Sequence, residues 1–260
     1  MLARAEALLG QEARDPLNEL EQIESHALGS AVLLGGGRSE LVGGATLFAH
    51  PLIPITELNR AIPAEPNVDV TAISAWFGGR HAVSVTGERS ELARELQERG
   101  YERVSTWMKF VRDATPAPPV ETDLRIEETL DAALFGSLVA EGSSIPPGAS
   151  ASLAAIVGAP GWHCFIAWAG DEPAGSGALY LHGATAWIGV GSTRPSMRRR
   201  GVQTALLATR IEAARAAGAT RMATETGEPT AGTPDQSYRN ILRAGFREAY
   251  PRANWASPPS

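Results

Sequence analysis

A basic turn between a strand-like run and a helix-like run is the feature that most constrains this chain. Ala184–Thr193 is mostly apolar and indicates a strand, whereas Val202–Ala217 is rich in Ala and Leu at helical spacing. Residues 198–201 between them read Arg-Arg-Arg-Gly. A helix start exposes unpaired N–H groups, and glycine lets an anion approach the backbone. This order predicts an anion site that suits a pyrophosphate. The alternative is a solvated helix start, with an arginine paired to Glu212.

The composition is that of a globular protein and limits the partners. The chain has 260 residues, of which 43% are hydrophobic and 20% charged, with a formal net charge of −6. Because nucleic-acid binders are normally basic, we expect no nucleic-acid partner. The arginine cluster is then a local patch on an acidic protein, which favours a small anionic ligand. The length allows one large domain or two of ordinary size.

The cysteine and histidine content argues against several kinds of site. Cys164 is the single cysteine, so no intrachain disulfide can form, and its apolar neighbours indicate a core residue. The five histidines show no ligand spacing, so we expect no metal site. We find no signal-peptide core and no run near the roughly 20 apolar residues of a membrane span, which favours the cytoplasm and no membrane partner. Nothing in the sequence indicates an oligomeric state.

A proline-rich segment predicts two domains, at 1–112 and 123–256, with a linker at 113–122. Each part ends on a helix-like run, a glycine, an aromatic residue and a strand-like run that contains Trp. The glycine–aromatic pairs are Gly100-Tyr101 and Gly245-Phe246. This repetition favours two copies of one α/β module, although many helices that are not repeats also end at a glycine followed by an aromatic residue.

Hydrophobic patterns predict alternating helices and strands in both parts. In the first part they predict helices at Leu2–Leu9, Pro16–Glu24 and Ser90–Arg99, and strands at Ser30–Leu34, Glu40–Ala49, Val68–Trp76, His81–Val85 and Tyr101–Arg112. In the second part they predict helices at Asp131–Ala140, Ala149–Val157, Val202–Ala217 and Gln236–Ala244, and strands at Leu124–Thr129, His163–Ala169, Gly175–Leu181, Ala184–Thr193, Ala219–Glu225 and Phe246–Trp255.

The second part resembles the GNAT acetyltransferase superfamily, from about residue 123 to residue 255. The basic turn fits the acyl-CoA pyrophosphate signature Arg/Gln-x-x-Gly-x-Gly/Ala, with Gln203 where the family usually has Gly or Ala. Residues 193–195 read Thr-Arg-Pro in place of the frequent Val-x-Pro. The resemblance implies an α/β fold of two GNAT-like modules, each a mixed, mostly antiparallel sheet flanked by helices. The first module, which lacks the basic turn, is then a degenerate copy or an unrelated α/β domain.

The resemblance also implies an acetyl-CoA site. Backbone groups of Gly191, Ser192 and Thr193 would hold the pantetheine arm. The pyrophosphate would be bound by the turn and the start of the helix, at Arg198, Arg199, Arg200, Gly201, Val202, Gln203 and Thr204. In the later helix, Ser237 stands at the family's small position and Asn240 would contact the cofactor.

Acyl transfer from CoA to an amine needs a neutral amine, a hydrogen-bond donor to the carbonyl oxygen and a proton for the thiolate. In the family a strand N–H polarises the carbonyl, which points to Ser192 or Thr193. The candidates for the base are Glu225, at the end of a predicted strand, and Glu141, after a predicted helix. Both can equally be solvated surface residues.

Two departures from the family concern the acid and the base. The position of the family's tyrosine acid holds Ile241, so Tyr238 one helical turn earlier is the candidate acid or else an exposed surface residue. The usual strand glutamate is absent from the run at 187–190. The substrate would lie between the modules, where Trp76 and Phe77 are either contacts or core.

The sequence therefore predicts an N-acetyltransferase. It would move the acetyl group of acetyl-CoA directly to an amine of a small molecule or peptide. One alternative is a different acyl donor or acceptor. Another is an acyl-CoA-binding sensor or regulatory protein without turnover.

Overall fold

A computed structural model of the chain describes residues 16–53, 55–65, 67–87, 90–143, 150–229 and 236–259. The helix predicted at Leu2–Leu9 lies outside these residues. None of the helices in the described ranges is long and apolar enough to cross a membrane.

The described part of the chain contains seven α-helices and eleven strands. The helices are α1 (Pro16–Leu34), α2 (Val70–Phe77), α3 (Ser90–Glu98), α4 (Ala132–Ser143), α5 (Ser150–Ala154), α6 (Val202–Ala216) and α7 (Gln236–Arg243). The strands are β1 (Arg38–Val42), β2 (Ala45–Ala49), β3 (Asn59–Pro63), β4 (Ala82–Thr86), β5 (Glu102–Asp113), β6 (Arg125–Glu128), β7 (Trp162–Ala169), β8 (Glu172–His182), β9 (Thr185–Thr193), β10 (Arg221–Gly227) and β11 (Arg247–Ala256).

All the described strands belong to one sheet, in the order β1-β2-β3-β4-β11-β5-β10-β9-β8-β7-β6. The pairs β3–β4 and β9–β10 are parallel, and the other pairs are antiparallel. Each parallel pair is connected by a crossover helix, α2 in the first half and α6 in the second. The mixed, mostly antiparallel α/β class predicted for the chain is confirmed.

The two halves exchange their last strands. β5 ends the first half of the chain but pairs with β10 of the second half. β11 ends the second half but pairs with β4 of the first half. β5 and β11 also pair with each other, which makes the sheet continuous. The linker at 113–122 and the division into 1–112 and 123–256 stay predictions. In the sheet, the last strand of each half lies next to strands of the other half.

Helices cover both faces of the sheet. On β10, Met222 packs in a core with α6 and α7, and the next residue, Ala223, packs in a second core with α1 and α4. Successive residues of a strand point to opposite faces, so α6 and α7 lie on one face and α1 and α4 on the other. A third core joins α2 and α3 to β2, β3 and β4. Cys164 is buried in the second core, as predicted.

Two predicted strands of the first half are helical, and Glu40–Ala49, predicted as one strand, belongs to the hairpin of β1 and β2. The run Ser30–Leu34 is the end of α1, and Val68–Trp76 contains α2. Both are short apolar runs, which periodicity alone does not separate from buried helix. At Val68–Trp76 the decisive residue is Asp69, whose carboxylate caps the helix by accepting from the N–H groups of Thr71 and Ala72 at 2.9 and 3.0 Å. Strand β3 was missed because it carries the charged residue Arg60.

A buried ion cluster connects α1 with four strands of the sheet. Its members are three acids and three bases: Glu21 and Glu24 of α1, Arg60 of β3, Lys109 of β5, Glu225 of β10 and Arg252 of β11. Glu24 pairs with all three bases, and the side chains of Glu24, Arg60 and Lys109 are 0% exposed. Since the strands come from both halves of the chain, the cluster joins the two halves under α1.

The cations affect the pKa values of the carboxylates in the cluster and so determine which of them is most readily ionised. Burial alone would raise the pKa of Glu24, but Arg252, Lys109 and Arg60 outweigh it and hold that pKa well below its usual value. Burial raises the pKa of Glu225, and the neighbouring charge of Glu24 adds to this against the effect of Arg252 and Lys109. Glu24 is therefore the anionic centre of the cluster.

Glu24→Gln should destabilise the fold by about 3–5 kcal/mol, because it leaves buried cations without their shared anion. The measurement is the free energy of unfolding in urea at pH 7. Glu95→Gln is the control, since Glu95 and Arg99 form a surface ion pair with side chains 39% and 44% exposed. We expect a change of about 0.5 kcal/mol or less there. Equal effects of the two substitutions would contradict the role given to the cluster.

The difference between wild type and Glu24→Gln should also depend on pH. The folded-state pKa of Glu24 is lowered, so its contribution is complete above the unfolded value of about 4.5 and is lost as the pH falls toward the folded value. Urea titrations between pH 7 and pH 3 should show a difference that shrinks only below about pH 4.5.

Candidate active site

Strands β9 and β10 run side by side only over their first residues. Their parallel ladder pairs Arg221 with Thr185 and ends at Ala223 and Trp187. Beyond that point β10 continues to Gly227 beside β5, and β9 continues to Thr193 beside β8. The two central strands therefore diverge and leave a cleft between their carboxyl ends.

A bulge in β9 accompanies the divergence. The ladder with β8 pairs Ala178 with Gly189 and then Ser176 with Ser192, so Val190 and Gly191 both face Gly177. Val190 has φ +50°, a left-handed conformation that a β-branched residue rarely adopts. A bulge of this kind bends its strand and removes backbone groups from the ladder. These groups border the cleft.

Side chains stabilise the backbone around the bulge. The Thr224 hydroxyl donates to the Ile188 carbonyl at 2.7 Å, at the point where β9 and β10 separate. The Ser192 hydroxyl is buried and donates to the Leu138 carbonyl of α4 at 2.6 Å. The hydroxyl is thus engaged, and the catalytic role predicted for the backbone N–H of Ser192 stays a prediction. The predicted roles of Gly191 and Thr193 likewise concern the backbone of this segment.

The basic turn leads from the end of β9 to the start of α6. Arg199 has φ +65°, and Gly201, the N-cap residue, has φ +78° and provides no capping side chain. The first intrahelical bond runs from the Ala205 N–H to the Gly201 carbonyl at 2.9 Å. The N–H groups of Val202, Gln203 and Thr204 come before that bond, so they lack intrahelical acceptors.

The arginines of the turn are exposed. Arg200 lies near Met197 Sδ, at 3.2 Å, and 3.9 Å from an Asp123 oxygen. In the part of the chain that the structure describes, the side chains of Arg198 and Arg199 have no hydrogen bond or ion pair. Glu212 is not the partner of this cluster, since it pairs with Arg215. A helix start without a cap beside unpaired arginines fits a pyrophosphate.

Gln203 links α6 to α7. Its amide donates to the Ser237 hydroxyl at 3.2 Å, and its amide oxygen accepts from Asn240 Nδ2 at 2.9 Å. Asn240 is 5% exposed and also accepts from Gln236 at 3.0 Å. The larger residue at the family's small position therefore serves to hold the two helices together. The cofactor contacts predicted for Ser237 and Asn240 stay predictions, and both side chains already have partners in this network.

Tyr238 lies on the side of α7 that faces β5 and β11. Its ring packs edge-on against Phe110 at 4.9 Å, and its hydroxyl donates to Glu248 at 2.5 Å. Burial and Glu248 raise the pKa of Tyr238 to about 12. The hydroxyl thus points to β11, two strands away from β10, and its role as the acid stays a prediction.

The two candidate bases have different surroundings. Glu225 lies two residues beyond the end of the β9–β10 ladder, and its side chain is 7% exposed within the ion cluster. Glu141 lies near the end of α4, 41% exposed, with both oxygens 3.1 Å from Arg194 Nε. Glu225 is thus at the cleft, with a pKa raised by burial, whereas Glu141 forms a surface ion pair.

A small apolar cavity of about 50 Å³ lies beside the bulge on the α1 face. Val190 of β9 is one wall, and Leu28 and Val32 of α1 form another. Ile156 and Trp162 complete the side that follows α5. Together they give the bulge an apolar surface on the face opposite α6.

The corresponding helix start of the first half is closed. α2 follows β3 as α6 follows β9, but its N-cap is Asp69, whose carboxylate occupies two N–H groups. A carboxylate there also repels an anionic ligand. Trp76 and Phe77 of α2 lie near β1, where Arg38 covers the Trp76 ring at 4.0 Å, so they are not at the cleft.

Comparison with known proteins identifies the segment that carries this cleft. Residues 138–233 match the family model of the acetyltransferase (GNAT) family. This segment is similar to the members of that family. It includes the bulge, the basic turn, α6 and β10. No curated protein matches the chain.

Solved structures share the fold over almost the whole chain. A GCN5-related N-acetyltransferase from Kribbella flavida superposes with a TM-score of 0.62 at 18% identity, covering 92% of this chain and 96% of that one. One from Sphaerobacter thermophilus has a TM-score of 0.62 at 14% identity, covering 95% and 96%. A tandem GNAT protein from the clavulanic acid biosynthesis pathway has a TM-score of 0.55 at 17% identity, covering 84% and 80%. The chain therefore has the fold of GNAT structures, one of which is described as a tandem GNAT protein.

Sequence reasoning missed the bulge and the arginine that packs against it. Gly189 and Gly191 flank Val190, and glycines inside a strand pattern are a known signal of a bulge. Arg210, in the middle of α6, gave no signal in the sequence. Within the described residues, no group of three or more His, Cys, Asp or Glu side chains is arranged to hold a metal.

Gln203→Ala should lower the free energy of unfolding by about 1–2 kcal/mol, because the buried amide of Asn240 loses its acceptor. CoA affinity should stay within about threefold of wild type, since the backbone N–H groups of the helix start remain. Thermal unfolding and calorimetric CoA titration measure the two effects. Glu95→Gln, at an exposed position of α3 outside this network, is the control and should change neither quantity appreciably. A large loss of affinity in Gln203→Ala without loss of stability would mean that the side chain itself binds the cofactor.

Proposed function

We propose that the chain is an N-acetyltransferase that moves the acetyl group of acetyl-CoA directly to an amine of a small molecule or peptide. The divergence of β9 from β10 next to the basic start of α6 carries this proposal. A cleft between strands suits the narrow pantetheine arm, and the helix start suits the pyrophosphate at its outer end. The match of residues 138–233 to the GNAT family supports acyl transfer in general.

The arm and the pyrophosphate would have separate binding groups. Arg198, Arg199 and Arg200 supply full positive charges, and the N–H groups of residues 201–204 supply oriented donors. The backbone of β9 from Gly191 to Thr193 would bind the arm by strand-like hydrogen bonds. The first module would bind no acyl-CoA, because Asp69 closes its helix start.

The chemistry asks little of the protein because acyl-CoA supplies an activated thioester. A backbone N–H of the β9 bulge region, with Ser192 and Thr193 as the candidates, would donate to the thioester oxygen as negative charge develops there. Glu225 would take the proton from the amine, and its pKa, raised by burial, brings it closer to neutral pH than an ordinary glutamate. Tyr238 remains the candidate for protonating the thiolate.

The acceptor amine would approach from the α1 face. Glu225 belongs to the ion cluster under α1, and the apolar cavity beside Val190 opens the same side of the bulge. The pyrophosphate site lies at the start of α6, which covers the other face. Donor and acceptor would then meet at the bulge from opposite sides of the sheet.

Thiol release from acetyl-CoA over a panel of amines tests the proposal. We expect release that depends on an amine and an acetylated product identified by mass spectrometry. Tight CoA binding without release on any amine would replace the proposal by a sensor of acyl-CoA. Absence of CoA binding would overturn both readings.

Arg200→Ala should weaken CoA binding at least several-fold, because a full charge beside the pyrophosphate is lost. Calorimetric titration with CoA measures the change. Arg99→Ala, which removes an exposed arginine of α3, is the matched control and should leave the affinity unchanged. Unchanged affinity in Arg200→Ala would contradict the assignment of the pyrophosphate site.

Glu225→Gln should lower kcat at least tenfold at pH 7, since the amide cannot accept the amine proton. CoA affinity should change little, because Glu225 lies on the acceptor side. Glu141→Gln is the comparison and should keep most of kcat. If Glu141→Gln is the more damaging of the two, the roles of the two carboxylates are reversed.

A further inference from the structure

Arg210 of α6 lies buried beneath the β9 bulge. It is 2% exposed, and its Nε donates to the Leu206 carbonyl of its own helix at 2.9 Å. Its Nη1 donates to the Ala178 carbonyl of β8 at 3.2 Å and to the Gly189 carbonyl of β9 at 2.9 Å. Ala178 and Gly189 are the last matched pair before the bulge. The guanidinium therefore binds both strands at the point where their register shifts.

Gly177 makes room for this guanidinium, and Gly191 lies at an ordinary contact distance from it. A Cβ atom on Gly177 would lie 2.7 Å from Arg210 Cζ, which is closer than such atoms approach. A Cβ atom on Gly191 would lie 3.7 Å from Nη2. Gly177 is the residue that faces Val190 and Gly191 across the bulge. The glycine on β8, the bulge on β9 and the arginine on α6 thus form one packed unit.

The charge of Arg210 is not neutralised by an acid. Across the described ranges, the hydrogen bonds of Arg210 go to carbonyl oxygens only, and it takes part in no ion pair. Burial lowers the pKa of Arg210 to about 10, so the group remains charged at neutral pH. A buried cation without a carboxylate is costly, and carbonyl dipoles offset only part of that cost. An apolar residue would fill the space beneath the bulge without this cost.

We infer that Arg210 is a positioning residue for acyl transfer, which holds the bulge in its reactive shape and places a positive charge beneath the developing oxyanion. The inference rests on the proposed function. In the reaction the amine nitrogen adds to the thioester carbon, and the carbonyl electron pair moves to oxygen. The pair then re-forms the carbonyl, the C–S bond breaks, the base keeps the amine proton and the thiolate takes a proton from the general acid, for which Tyr238 is the candidate. The charge on oxygen exists only between these two events, so a fixed cation nearby lowers the barrier.

Three variants separate positioning from simple support of the fold. Arg210→Met removes the charge and the hydrogen bonds at similar length, and Arg210→Lys keeps the charge but loses the planar fork. Arg215→Met is the matched control on the same helix, where the arginine bonds the Ala114 carbonyl and Glu212. Each is measured for kcat and KM with acetyl-CoA, for CoA affinity and for thermal unfolding.

We expect kcat to fall at least tenfold in Arg210→Met, with CoA affinity within about threefold of wild type, because the oxyanion is absent from the bound state. Arg210→Lys should lie between Arg210→Met and wild type, and Arg215→Met should match wild type. If only the unfolding temperature changes, with kcat unaltered once the folded fraction is counted, Arg210 is structural and the inference is overturned.

Gly177→Ala provides an independent test with the arginine present. The added methyl group pushes on Cζ of Arg210, so kcat should fall at least several-fold. In the Arg210→Met background the same change should cost much less, because the flexible methionine can move. Equal effects of Gly177→Ala in both backgrounds would show that the glycine and the arginine act separately, against the inference.

Failure of the proposed function would be recognised separately. If wild type binds CoA but releases no thiol with any amine, the transfer proposal fails. The effect of Arg210 on the bulge is then tested through the backbone conformation alone. The amide NMR signals of Gly189 and Gly191, recorded with and without CoA, should shift in Arg210→Met and not in Arg215→Met. Unchanged signals would overturn the inference about the bulge as well.

Discussion

The carboxylate of Glu24 is fully buried, and three cations from different strands surround it. Lys109 comes from the first half of the chain and Arg252 from the second, so one anion on α1 fixes strands that the sequence separates by more than a hundred positions. A buried anion of this kind is tolerated only when its partners are all in place. The continuous sheet, with its exchanged strands β5 and β11, therefore depends most strictly on the pairing of Glu24 with its three cations.

The candidate site depends on this arrangement. Glu225 of β10 belongs to the ion cluster and lies just beyond the point where β9 separates from β10. β10 is held by β5 of the other half, while β9 is bent away by its bulge. A strand fixed on one side and a strand bent on the other leave a cleft between them. Because β5 comes from the first half, the second half alone does not contain every strand that shapes the cleft.

The sequence predicted the second half well and the first half less well. Strands and helices from β6 to β11 follow strong periodic patterns, and the basic turn lies between a strand, β9, and a helix, α6, as predicted. The anion site at this turn stays a prediction. In the first half, α2 and the end of α1 look like strands because short apolar runs do not reveal their period. Strand β3 escaped notice because Arg60 is charged, and only its ion partners explain how a charged residue occupies a buried strand.

The sequence by itself determined the local events: the capped or uncapped helix starts, the glycine stops and the basic turn with its unpaired donors. These depend on neighbours within a few positions, which the order of residues specifies directly. The tertiary structure decided the exchange of β5 and β11, the burial of Glu225 among three cations and the packing of Arg210 against Gly177. Each of these joins residues that lie far apart in the chain. Burial and charge pairing at such sites are properties of the assembled sheet, and no local pattern encodes them.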